Sequence, residues 1–76
     1  MNNNLAKDMR LSRGLSVEEM ANSIGVSKAA ISRAENGHLT AEMKAKILRV
    51  HEMDDAFFFY VEQRKKADSY IINNNT

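Results

Sequence analysis

Between Ser16 and Gly37 the chain reads SVEEMANSIGVSKAAISRAENG, and this run leaves the backbone few choices. Ser16 with Glu19 three residues on forms a capping box, in which the hydroxyl takes a backbone N–H and the carboxylate reaches back to the cap. Met20, Ala21 and Ile24 then recur at i, i+1 and i+4, a helical spacing rather than a strand one. Gly25 stands where a short helix must stop and turn, because a left-handed backbone is cheapest for glycine. Val26 supplies an apolar plug in the turn, and Ser27 is the next N-cap. A second helix is expected from Lys28 to about Asn36. Ala30, Ile31 and Ala34 face inward on it, which leaves Lys28, Ala29, Ser32 and Arg33 together on the other face.

Two helices joined by a short glycine-containing turn match the helix-turn-helix unit, whose second helix enters the major groove of DNA. At Ala21, Gly25-Val26-Ser27, Ile31-Ser32-Arg33 and Glu35-Asn36-Gly37 the chain resembles the Cro/CI-type repressor family, also called the Xre family. The resemblance extends from about Leu5 to Met53. It implies an all-α, five-helix, lambda-repressor-like DNA-binding domain. It also implies that Arg10, which lies one position beyond the Leu5/Met9 stripe and partly toward the core, pairs with Glu35, the glutamate closing the recognition helix; the alternative is a surface residue or a phosphate contact. Two departures stand out. Val17 occupies the place where the family commonly has a glutamine bridging phosphate and recognition helix, and no proline precedes the fourth helix.

The rest of the chain fits a helical reading. Its 76 residues allow one domain, near the lower limit at which a core holds without staples. There is no cysteine, hence no disulfide framework, thiolate metal site or cysteine nucleophile, and the absence of proline favours helix throughout. No apolar run approaches the ~20 residues that span a membrane, and Met-Asn-Asn-Asn opens nothing like a signal peptide. A cytoplasmic protein without a membrane partner is expected, with no room for a ligand-sensing domain. The net charge of +1 divides unevenly: residues 1–49 hold eight Lys or Arg against five Asp or Glu, and residues 50–76 hold three against five. The basic excess therefore sits with the motif.

A first helix is expected from about Asn4 to Ser12, with Leu5 and Met9 inward. After the loop His38-Leu39-Thr40, a fourth helix capped by Thr40 should run from Ala41 to about His51, with Met43, Ile47 and either Leu48 or Val50 inward. Asp54-Asp55 should cap a fifth, on which Phe57, Phe58 and Val61 complete the core. So small a domain cannot bury aromatics all round one helix, and an exposed apolar patch marks a partner surface. A homodimer interface through Phe58, Phe59 and Tyr60 is expected, the alternative being a tail that folds back over them. The DNA-binding domain is taken as residues 1–66 and the tail as 67–76. In that tail Tyr70-Ile71-Ile72 can be a helix end, a short strand across a dimer axis or a segment that orders on contact, and Asn73 to Thr76 reads as frayed.

Bases are read in the major groove through donors, acceptors and the thymine methyl. Arg33 is the best specificity candidate, because its guanidinium can pair two ways with guanine. Lys28 reaches guanine or phosphate, Ala29 suits a thymine methyl, and Ser32 suits either base edge or phosphate. Phosphate contacts are expected from Ser16 and Ser27 at the helix N-termini, from Asn36, His38 and Thr40, and from Lys44. The reading is a homodimeric repressor on a pseudo-palindromic operator, with no cofactor and no metal. RNA polymerase is a further partner if Glu18-Glu19 or Asp54-Asp55 forms an activating patch. The other class is a protein-interaction module of antitoxin or antirepressor type that uses the helix from Phe57 to Val61. An enzyme is not expected: there is no phosphate-cradling glycine loop, and the nearest acid and histidine grouping, His51 with Asp54 and Asp55, is better explained by capping.

Overall fold

The computed structural model describes the backbone of residues 4–74 and the side chains of residues 4–69. Five helices follow one another: α1 (Leu5–Ser12), α2 (Val17–Ile24), α3 (Lys28–Glu35), α4 (Ala41–Val50) and α5 (Asp55–Asn74). No strand occurs among the described residues. The first four are short because each is closed by its own local signals. Asn4, Ser16, Ser27 and Thr40 all cap with a side-chain oxygen that accepts the N–H three residues on. At Ser16 the capping box is complete, since Glu19 Oε1 accepts the Ser16 N–H at 2.8 Å. Gly25 ends α2 at φ 74°, in the left-handed region, and the Val26 N–H reaches back to the Ala21 carbonyl at 3.0 Å.

The core is Ala6, Met9, Met20, Ala21, Ile31, Ala34, Ile47 and Phe57, with Leu5, Leu15, Val17, Ile24, Val26, Leu39, Met43 and Val61 packed around it. Met9, Met20, Ile31 and Ile47 are the largest fully buried side chains, each worth ~1.5–3 kcal/mol of burial. The small Ala21 and Ala34 are buried among them. α1 lies at the centre of the arrangement, packed on α3, α4 and α5, while α5 packs mainly against α1.

Two expectations about the core need correcting, and one question about the tail is answered. Neither Leu48 nor Val50 turns inward. The inner stripe of α4 is Met43 and Ile47, and its next place, four residues on, is taken by half-buried His51. Phe58 does not join the core and is 55% exposed. The stripe of α5 that meets α1 is Phe57, Val61, Arg64 and Asp68, at i, i+4, i+7 and i+11, and Phe58 lies about 100° off it. Finally, the backbone of residues 67–74 simply continues α5, so of the three conformations open to the tail it takes the helix. The side chains of Tyr70, Ile71 and Ile72, and residues 75–76 altogether, lie outside the described residues, as do Met1 to Asn3.

Ion pairs with no local sequence signal hold α1 and α5 together. Asp8, only 7% exposed on α1, accepts from Arg64 Nη2 at 2.9 Å. Arg64 also meets Asp68 at 3.4 Å, and its Nε is buried without a partner. At the other end of α1, Arg13 donates to the Glu52 carbonyl at 2.6 Å and to Asp54 at 3.3 Å. Asp54 in turn caps α5 by accepting the Phe57 N–H, and that hydrogen bond holds its carboxyl below the usual aspartate range.

Candidate nucleic-acid interface

α3 offers one side to the core and the other to solvent. Ile31 and Ala34 are buried and Ala30 is half-buried, whereas Lys28, Ala29, Ser32 and Arg33 are all exposed. The split follows from the 3.6-residue repeat: once Ile31 and Ala34 are inward, residues 29, 32 and 36 form the middle of the outer face, with Lys28 and Arg33 on its flanks.

The position of α3 is fixed from both ends. At its start the Ser27 side chain accepts the Ala30 N–H, leaving the Lys28 and Ala29 N–H groups free at the positive end of the helix. At its close, Glu35 takes a bidentate pair from Arg10, Nε to Oε2 at 2.6 Å and Nη2 to Oε1 at 3.0 Å, while Arg10 Nη1 donates to the Leu15 carbonyl. The bond to Glu35 outweighs desolvation and raises the Arg10 pKa, so its charge is permanent. Asn4 adds a contact that the sequence did not signal. Its Oδ1 caps α1 while its Nδ2 donates to the Ala34 carbonyl at 2.8 Å, so one side chain satisfies an orphan group on each of two helices.

Beyond α3 the chain turns through Gly37 and His38 to Thr40. An open groove of about 400 Å³ here is lined by Ala30, Arg33, His38, Thr40 and Met43. It brings Arg33 together with His38 and Thr40. Thr40 caps α4 by accepting the Met43 N–H, and its hydroxyl hydrogen remains available to a further acceptor. Asn36 sits at the C-cap of α3 with Nδ2 donating to the Ser32 carbonyl at 2.7 Å. Lys44, exposed on the next turn of α4, lies outside the groove lining. Among the described residues no ion pair engages Lys28, Arg33 or Lys44, in contrast to Arg10, Arg13 and Arg64. Lys28, Arg33 and Lys44 are thus free, whereas Arg10, Arg13 and Arg64 are structural.

A family model described as Helix-turn-helix (HTH_3) matches residues 7–52, more than half of the chain. The chain belongs to the Cro/CI-type helix-turn-helix family. This is a family of DNA-binding regulators rather than enzymes, and the five helices with no strand among the described residues agree with its lambda-repressor-like fold. Comparison with the curated proteins and with the solved structures returns no significant match.

In this Cro/CI-type domain, the start of α2 departs from what a phosphate would favour. Val17 offers no polar side chain, and Glu18 and Glu19 are exposed in the first turn, where their charge opposes a nearby phosphate. Ser16 has its N–H committed to Glu19 and retains only its hydroxyl hydrogen. On α5, Phe58 and Phe59 are exposed, at 55% and 64%, whereas Tyr60 is half-buried in the crevice against α1 with Leu11, Arg64 and Asp68. His51 and Asp54 do not meet: the His51 ring bonds Ser23 Oγ at 2.8 Å. The Ser23 hydroxyl also meets the Met20 carbonyl at 2.7 Å, which ties the ring to the last turn of α2. Burial, and then the Arg13 charge, lower the His51 pKa. No helix among the described residues is long and apolar enough to cross a membrane.

Proposed function

We propose that this chain is a sequence-specific, double-stranded DNA-binding transcriptional regulator that acts as a homodimer on a pseudo-palindromic operator and represses by covering the promoter. The observation that carries the reading is the outer face of α3, exposed and bordered by unpaired cations, on a helix held rigidly from beneath. Arg33 reads guanine through its fork, Ala29 meets a thymine methyl, and Lys28 and Ser32 contact a base edge or phosphate. Ser27 with the free N–H groups above it, Asn36, His38, Thr40 and Lys44 hold the sugar-phosphate backbone, so most of the grip lies between α3 and α4. Ser16 is a minor contributor beside Glu18 and Glu19. The exposed Phe58 and Phe59 supply the dimer contact, with Tyr60 at its edge. Two-fold symmetry then places half-sites about one helical turn apart, ~34 Å.

The acidic start of α2, together with Val17, is also what favours the second reading, a protein-interaction module of antitoxin or antirepressor type that binds its partner through α5. Selection from a randomised duplex library at near-physiological salt, followed by titration of the winner and by sedimentation, separates the two. A two-fold symmetric consensus, bound far more tightly than scrambled duplex by a dimer, is expected. A monomer with weak binding that fades with salt on every duplex alike would overturn the regulator reading.

A further inference from the structure

The turn that closes the recognition helix carries a reactive pair that the fold does not use. The geometry points to Asn36-Gly37 as a self-modification site, at which conversion of Asn36 to aspartate or isoaspartate withdraws the chain from DNA. The second half of this inference rests on the DNA-binding reading above; the first half does not.

In the reaction the Gly37 backbone nitrogen attacks the side-chain carbonyl carbon of Asn36. The Gly37 N–H proton passes to water, a bond forms from Gly37 N to Asn36 Cγ, and the Cγ–Nδ2 bond breaks to release ammonia. Water then opens the five-membered succinimide at either carbonyl. One opening gives aspartate; the other gives isoaspartate, with the main chain routed through the former side chain. One water is consumed and one ammonia released, and no oxidant or second reactant is needed.

Three features equip this pair for that step. Glycine presents no Cβ to obstruct its own nitrogen, and a Cβ at Gly37 would meet nothing within 4 Å, so the surroundings of the nucleophile are open. The Gly37 N–H donates no hydrogen bond among the described residues, although the N–H groups on either side, of Asn36 and His38, are bonded to Ser32 and Arg33 carbonyls. Asn36 itself is exposed, and its side chain is held by one bond, Nδ2 to the Ser32 carbonyl. That bond lies at a helix end, where fraying is easiest, and its rupture frees the amide to swing toward Gly37.

The consequence follows from where residue 36 stands. It lies seven and four residues after Ala29 and Ser32, and so on the same outward stripe. A carboxylate there loses the donor to the Ser32 carbonyl and puts negative charge at the negative end of the helix dipole. It also confronts the phosphates that this face approaches. Isoaspartate adds a main-chain atom in the turn where the His38 N–H meets the Arg33 carbonyl. All of these act against binding, and the expected weakening is on the order of tenfold, the size of one charged contact.

The test is to age the purified full chain at physiological temperature and mildly alkaline pH, then to follow residue 36 by peptide mass spectrometry with an isoaspartate-specific methyltransferase. The affinity of aged and fresh samples for the selected duplex is measured in parallel. Conversion concentrated at Asn36, a matching loss of affinity, and an Asn36→Gln variant that ages without loss are expected, because glutamine cannot close the five-membered ring. Asn36→Asp should bind like the fully aged sample. Retention of the Asn36 amide, or conversion of Asn4 or Asn22 as fast as Asn36, would overturn the chemical step. Converted protein that binds as tightly as fresh protein would overturn its consequence. Fresh protein that prefers no duplex would remove the DNA reading and that consequence with it, while the mass readout would still decide the chemistry.

Discussion

Removing either side of the Asp8–Arg64 pair should have unequal effects, and the inequality can be worked out from the partners each one keeps. Asp8 is 7% exposed and has Arg64 as its one side-chain partner among the described residues. Arg64 also has Asp68, at 3.4 Å on a more exposed edge. Arg64→Met therefore leaves the Asp8 carboxylate stranded between α1 and α5, a change worth ~3–5 kcal/mol where burial is complete. Two details pull the figure toward ~3 kcal/mol: the Arg64 side chain is 17% exposed, and its substitution removes the orphaned Nε. For a chain whose total stability is roughly 4–11 kcal/mol that is severe, and it corresponds to a Tm lower by roughly 12–24 °C. Asp8→Asn leaves Arg64 its second carboxylate and an amide oxygen to donate to, so ~1–2 kcal/mol is expected. The double variant Asp8→Leu/Arg64→Met replaces both charges by apolar groups and should return to within ~1 kcal/mol of the parent. Urea unfolding followed by far-UV circular dichroism, at one protein concentration throughout, measures all four chains. If Asp8→Asn proves as damaging as Arg64→Met, or the double variant no better than Arg64→Met alone, the pair does not hold α5 in place.

Other expectations are simpler to state. His51 resists protonation in the folded chain, so the unfolded chain binds more protons below the ordinary histidine pKa of about 6.5, and stability falls as pH drops through that region. His51→Gln should flatten this part of the Tm-versus-pH curve; an unchanged slope would assign it to other groups. Gly25→Ala has free space for its methyl but a φ of 74°, so the loss of ~1–2 kcal/mol in urea is purely conformational. Arg33→Ala should lose ~1–3 kcal/mol on the selected duplex and relax preference at one base position, whereas equal loss on every duplex would make it a phosphate contact. Lys44→Ala should weaken all duplexes alike and reduce the salt slope by about one unit; an unchanged slope would remove it from the interface.

What could be read directly from the residues was whatever repeats or closes within a few positions. The Ser16-Glu19 box, the Gly25 turn, the Ser27 and Thr40 caps and the Ile31 and Ala34 stripe each carry their partner within one helical turn, and all take the form expected of them. The side of α5 that faces α1 was harder, because Phe57, Phe58, Phe59 and Tyr60 are consecutive apolar residues and any of them suits a core. Arg64 and Asp8 settle the matter, but they are 56 positions apart and each looks like an ordinary solvated charge. Likewise His51 reads as a helix end until Ser23 comes up beside it from α2. Pairing across the fold leaves no periodicity behind.

The double duty of Asn4 narrows what evolution or design can place there. Aspartate would still cap α1 but could not donate to the Ala34 carbonyl, since an ionised carboxylate has no hydrogen to give and its charge would repel that oxygen; serine has the hydrogen, but its single short-armed oxygen would have to serve both the Lys7 N–H and the Ala34 carbonyl, which Asn4 meets with two atoms. Glutamine has both kinds of atom on a side chain one carbon longer, which misplaces the cap. A residue that looks like part of a dispensable polar leader thus ties the start of α1 to the end of α3. A library randomised at this position should return asparagine above aspartate, serine and glutamine wherever selection is for DNA binding.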